Sequence, residues 1–168
     1  MTKTKSFFFI FFVLLFNSLV ANEPLISKKK APLSVALPLL KKIDHHAIIV
    51  GDGPTHMYAF IDPVCPRSRE FVEMILENQK MQKSYTYHFF YYELVRFHTK
   101  DLIGTIYTDK EPFNMMVEVM VKKHEVKREK KLSSKVIAKM NDISKVAKKL
   151  DIYKRPYLFI VKTNKGDK

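Results

Sequence analysis

The sequence predicts an α/β fold built on one sheet, and three features carry that prediction. A strand pattern, a tight loop and a helix pattern follow one another over residues 57–80. A dense aromatic run with high strand propensity comes next, at 85–92. Residues 93–150 then show helical spacing without strand patterning. The chain has 168 residues, 46% of them hydrophobic, enough for one proper core and too few for a second domain of ordinary size.

Each element has a local reason. Residues 22–42 hold three prolines and the Lys28–Lys30 run, which predicts an extended lead-in and then a short amphipathic piece through Leu39 and Leu40. From Ile43 the pattern turns to strand, apolar over 47–50, and Gly51-Asp52-Gly53-Pro54 is a strong turn signal. Residues 57–61 read as a buried strand that Asp62 and Pro63 end, because proline cannot donate to a central ladder. Pro66 suits the first position of a helix, and Phe71, Val72, Met74, Ile75 and Leu76 supply helical spacing. The strand at 85–92 is then expected to run parallel to 57–61 through that helix, completing a βαβ unit. Within 93–150, Met115, Met116, Val119 and Met120 form one apolar face; Val146, Ala147 and Leu150 form another, after an N-cap at Asn141 or Asp142. Residues 157–161 are a last strand behind Pro156, followed by a turn at 164–166.

The first 21 residues have the three-part layout of an export signal. Lys3 and Lys5 precede an unbroken apolar run from Phe7 to Phe16, and Asn17 to Ala21 turns small and polar. The run is shorter than the roughly 20 apolar residues that span a bilayer. Cleavage is expected after Ala21. Leu19 is larger than the preferred residue two positions earlier, which leaves an uncleaved anchor as the alternative. An exported chain with this signal points to the bacterial periplasm.

Thirty Lys and Arg against 17 Asp and Glu give +13; without Lys3 and Lys5 of the export signal the excess is +11, and residues 122–168 hold all of it, with 16 basic and 5 acidic residues. Lys122, Lys123, Lys127, Arg128, Lys130 and Lys131 are its densest cluster. The plain reading is a solvated helical face, and weak contact with an anionic membrane surface is the functional one. A nucleic-acid partner is excluded: no aromatics interleave with the cluster, and export separates the protein from most nucleic acid.

One cysteine and no tryptophan restrict the chemistry further. Any disulfide within the chain, any zinc module needing two or more thiolates and any self-contained dithiol pair are excluded. The six histidines offer only the neighbours His45 and His46 as a close set, and adjacent strand residues point to opposite faces, so no metal and no other cofactor is expected. No G-x-S-x-G elbow exists for a hydrolase, and the four glycines form no phosphate-cradling loop. Nothing beyond composition favours a Cys–His protease.

What remains is Cys65. It falls where the buried strand stops and the helix begins, so its sulfur faces unpaired backbone N–H groups and the positive end of the helix dipole, an environment that favours a thiolate. Arg67 adds positive charge, and the Ser68 hydroxyl, one turn on, is expected to donate to the sulfur.

Phe60, Asp62, Pro63, Cys65 and Pro66 resemble the strand-to-active-site stretch of the thioredoxin-like periplasmic disulfide isomerase and oxidoreductase family, whose pattern reads F-x-D-P-x-C-P-x-C. Asp142 to Ile152 is similar to that family's helix before its last hairpin, and Arg155-Pro156-Tyr157-Leu158-Phe159 to its cis-proline loop and following strand. The resemblance covers roughly residues 43–166. It implies a thioredoxin-like fold over 43–168, with 93–150 as a helical insertion and 22–42 as a lead-in too short for the family's N-terminal dimerisation domain, hence a monomer. It also implies that Pro156 is a cis-proline facing Cys65 and that Pro156, Arg155 and Pro66 meet an extended substrate peptide.

Two departures bear on function. Ser68 stands where the family has its resolving cysteine, so only monothiol exchange remains: Cys65 attacks a polypeptide disulfide, and an external thiol or the substrate's own completes the step. Isomerisation tolerates that route, and net oxidation by this chain alone does not. The chain also stops at Lys168, where the family continues with a pairing strand and a packed helix, so an open edge or a truncated product is expected. The competing reading is a non-catalytic peptide-binding or assembly module that kept the groove and lost turnover.

Overall fold

The computed structural model describes residues 30–162. The export signal and the turn at 164–166 lie outside the described residues. Among those described, no helix is long and apolar enough to cross a membrane.

A helix, α1 (Leu33–Ile43), opens the fold, with Pro38 inside it, and buries Ala36, Leu40 and Ile43 in the same core as the sheet. This helix spans the short amphipathic piece expected through Leu39 and Leu40 and starts at Leu33. A 3-10 turn (Asp44–His46) follows, so strand structure begins at Ile48 and not at Ile43. The strands are β1 (Ile48–Val50), β2 (Thr55–Ile61), β3 (Tyr85–Tyr91) and β4 (Tyr157–Lys162), in the order β1-β3-β2-β4. β2 and β3 are parallel, with Met57 opposite Tyr87 and Ala59 opposite Phe89, as the βαβ reading requires. β1 joins β3 and β4 joins β2, both antiparallel.

Both faces of the sheet are covered, which is why β2 is buried continuously from Met57 to Ile61 and does not alternate. On one face Phe71 of α2 (Pro66–Leu76) sets its ring edge against Tyr87 and Phe89. On the other, α1 packs with α6 (Ser134–Lys149). A short helix, α3 (Gln79–Ser84), leads into β3. The turn between β1 and β2 is tight against it: Gly51 has φ +80°, and a Cβ on Gly53 would collide with the Ser84–Tyr85 backbone.

The insertion is less helical than its composition predicts. After a 3-10 turn (Val95–Phe97) come α4 (Lys100–Thr108) and α5 (Pro112–Met116), the latter continued by a π turn (Val117–Val121). Residues 122–133 are not helical. The basic cluster therefore lies on an irregular segment, which corrects the helical-face reading. Lys123 at φ +58° breaks the preceding turn, Arg128 pairs with Asp101 at 3.1 Å, and Leu132 lies against Gly104 of α4. The N-cap of α6 is also corrected, from Asn141 or Asp142 to Ser133, whose hydroxyl accepts from Val136 N–H at 3.3 Å.

Candidate functional site

The site forms where β2 ends. Asp62 is fully buried and acts as a clasp. One carboxylate oxygen accepts from Val64 N–H at 3.0 Å; the other accepts from Leu94 N–H at 2.7 Å and the Thr99 hydroxyl at 2.8 Å. The loop before α2 is thereby fixed to the loop after β3. Arg69 adds a bond from Nε to the Pro63 carbonyl, 2.7 Å.

Cys65 is the N-cap residue of α2 in extended geometry, φ −66° and ψ 119°, and Pro66 takes the first helical position. The Cys65 carbonyl accepts from Ser68 N–H and Arg69 N–H, each at 3.0 Å, closing the first turn. No side chain caps this helix, but Pro66 has no N–H and those of Ser68 and Arg69 go to the Cys65 carbonyl, so of the unpaired first-turn N–H groups expected to face the sulfur only that of Arg67 remains. Cys65 is only 4% exposed, and its Sγ donates to the Arg155 carbonyl at 3.7 Å. That carbonyl belongs to the peptide bond before Pro156, which is cis. The sulfur and the proline loop are thus neighbours across 90 residues of sequence.

Ser68 is fully buried, and its hydroxyl accepts from Asp62 N–H at 3.3 Å. The expected donation from Ser68 to the sulfur is not formed among the described residues, because the hydroxyl is turned to the end of β2. Pro66 and Arg67 are exposed at the mouth of the helix. Arg155, expected at the substrate, is 5% exposed and has its guanidinium engaged inside the protein. It donates to the carbonyls of Tyr92 (2.6 Å), Lys154 (2.7 Å), Glu93 (3.1 Å) and Ile152 (3.3 Å), and lies 4.1 Å from the Tyr92 ring centre. Burial lowers its pKa to about 10, against the pull of Tyr92, Asp62 and Cys65, so it keeps its charge at neutral pH.

A hollow of about 470 Å³ opens at the sulfur, lined by Cys65, Pro66, Arg67 and Arg155 and by four residues that sequence reading did not place there: Leu94, Arg96, Tyr153 and Lys154. Pro156 lines an adjoining hollow of about 260 Å³, which shares Tyr153 and Lys154. No spacing in the sequence marks these four, since they reach Cys65 only through the fold. Asp62 did leave a signal, an acid closing an apolar strand; its role as a clasp needed the partners at 94 and 99. Among the described residues no group of three or more His, Cys, Asp and Glu is arranged to hold a metal.

The same fold occurs in solved structures. ScsC of Proteus mirabilis in a transitional conformation aligns with a TM-score of 0.58 at 15% identity, over 76% of this chain and 71% of that one. The catalytic domain of the same organism's ScsC aligns with a TM-score of 0.54 at 16% identity, over 78% and 85%. BcfH of Salmonella enterica Typhimurium gives 0.54 at 12% identity, over 80% and 70%. No protein-family model matches the chain, and no curated protein matches it in sequence. At these identities the likeness is one of fold, and that fold is thioredoxin-like with a helical insertion.

Proposed function

We propose that the chain is an exported, periplasmic thiol–disulfide exchange protein acting on polypeptide disulfides through one thiol, Cys65. One observation carries this reading: the only sulfur of a cysteine in the chain stands at an uncapped helix N-terminus, 3.7 Å from the carbonyl before a cis-proline, on the wall of an open hollow. The fold it shares with ScsC supports the reading, as does the apolar run at Phe7 to Phe16 for export. Cys65 gives its proton to water and attacks a substrate disulfide. A new S–S bond joins it to the substrate, and the displaced sulfur leaves as a thiolate. A second thiolate, from the substrate or from an external thiol, attacks the mixed disulfide and frees Cys65, so the protein is neither oxidised nor reduced over a cycle. Pro156 and Arg155 contribute backbone beside the sulfur, Pro66 fixes the first turn, and Arg67 adds positive charge at the mouth.

The test is to incubate the protein with a scrambled disulfide-bonded polypeptide, quench with acid and resolve the products without reductant. Adducts linked through Cys65 are expected and should vanish in Cys65→Ser; their absence from the wild-type protein refutes the reading. Ser68→Cys should shorten the lifetime of those adducts at least about tenfold, because an i, i+3 thiol on the first turn is close enough to expel the substrate.

The 4% exposure of Cys65 favours a second reading, a peptide-binding or assembly module without turnover. Unchanged polypeptide affinity in Cys65→Ser, together with no adducts, would establish that alternative.

A further inference from the structure

Charge at the Cys65 hollow is one-sided. Arg67 on the first turn of α2, Arg96 in the turn after β3 and Lys154 ahead of the cis peptide all line it, and all three are exposed. Arg96 rests 4.8 Å from the Phe97 ring and Lys154 5.9 Å from the Tyr153 ring; among the described residues none of the three pairs with a carboxylate. No Asp or Glu lines the hollow, and Asp62 beneath it is fully buried with both oxygens bonded to the protein. Positive charge gathered in a concavity concentrates anions there. At about 470 Å³ the hollow is of small-molecule size.

We propose that the external thiol and its disulfide, the partners a monothiol protein needs, are small molecules carrying carboxylates near sulfur, held by Arg67, Arg96 and Lys154. This rests on the exchange chemistry at Cys65. The anionic thiolate attacks the Cys65–substrate mixed disulfide at the Cys65 sulfur, the substrate leaves as a thiolate and takes a proton from water, and the small thiol remains joined to Cys65. A second such thiolate then attacks the small-molecule sulfur, restoring Cys65 and releasing the small disulfide. The two electrons come from the two small thiols and go to the substrate disulfide.

The experiment measures, by intact mass spectrometry at low ionic strength, the rate at which Cys65 is modified by glutathione disulfide (a dianion), hydroxyethyl disulfide (neutral) and cystamine (a dication). Each rate is divided by that of the same chain unfolded in urea. Glutathione disulfide is expected to be fastest, by about tenfold or more over cystamine, with the preference falling within about threefold in roughly 0.5 M salt. The triple variant Arg67→Gln, Arg96→Gln, Lys154→Gln should lose the preference, and Arg96→Gln alone should lose part of it. The control is Lys80→Gln, Lys83→Gln, Lys162→Gln. It removes the same net charge at the opposite end of the sheet, where Thr55 faces Tyr85 and Lys162, and should keep the preference. Equal normalised rates for the three disulfides, or equal loss of preference in both triple variants, overturns the proposal and leaves exchange at Cys65 standing. No reaction with any disulfide overturns both.

Discussion

A full positive charge at 5% exposure, with no carboxylate in ion-pair range among the described residues, makes Arg155 the most constrained side chain near the site. Its charge is tolerated because four backbone carbonyls and the face of Tyr92 replace the water it lost. Only a planar fork of N–H donors reaches carbonyls at 92, 93, 152 and 154 together. Arg155→Lys keeps the charge and loses the fork, so it should lower the urea-unfolding free energy by about 2–4 kcal/mol, while Arg67→Lys at the exposed mouth should change it by less than about 0.5. The Arg155 backbone meanwhile meets the sulfur, so one residue closes the loop with its side chain and faces the site with its carbonyl. Neither the inward fork nor the hollow formed with Arg96 and Lys154 was legible beforehand. Backbone carbonyls leave no mark in a side-chain pattern, and Arg96 and Lys154, 31 and 89 positions from Cys65, meet it only after folding. Cys65 itself was legible, because a strand run, a proline pair and a helix run meet at that one position.

At the scale of elements, strands that burial dictates were read closely and segments that capping dictates were not. β2 is buried without a break over Met57–Ile61 and β3 over Tyr87–Tyr91 because helices cover both faces, with His88 the one strongly polar side chain inside either run. α6 begins seven residues before Asn141 because Ser133 caps it and Val136 joins the core on its first turn; Asn141 and Asp142, good caps in isolation, lie inside a helix already under way, Asn141 exposed and Asp142 half-buried beside His46. Ser133→Ala should cost about 1 kcal/mol in a urea melt. Gly53→Ala should cost several times more, since its Cβ would meet backbone and not a side chain that can move aside. Similar losses for the two variants would show that the β1–β2 turn yields more easily than its contact with α3 implies.

Across the whole molecule, the face of the sheet away from α2 carries a buried polar chain that ties α1's end to both central strands. His88 of β3 is 5% exposed; its Nδ1–H donates to Asp44 at 2.6 Å, and its Nε2 accepts from His56 Nδ1–H of β2 at 2.9 Å. Tyr58 stacks on it at 4.5 Å. Burial holds the His88 pKa below the ordinary imidazole value, and the Asp44 carboxylate only partly restores it. His46 is lowered too, first by burial and then by the charge of His45. A depressed imidazole binds a proton more weakly folded than unfolded, so in the window between its folded pKa and about 6.5 the unfolded chain holds more protons and stability rises with pH. The contribution is complete above about 6.5 and is lost as pH falls through the folded value. Urea midpoints should therefore drop between pH 7.5 and pH 5. His88→Gln, which keeps a hydrogen-bonding group but cannot take the proton, should flatten that slope while lowering the midpoint at pH 7.5. A midpoint that holds steady or climbs on acidification would show that Asp44 stabilises the imidazolium more than burial opposes it. The chain from α1 to the sheet would then tighten in acid, and the site at the far end of β2 would rest on a firmer base at low pH than at neutrality.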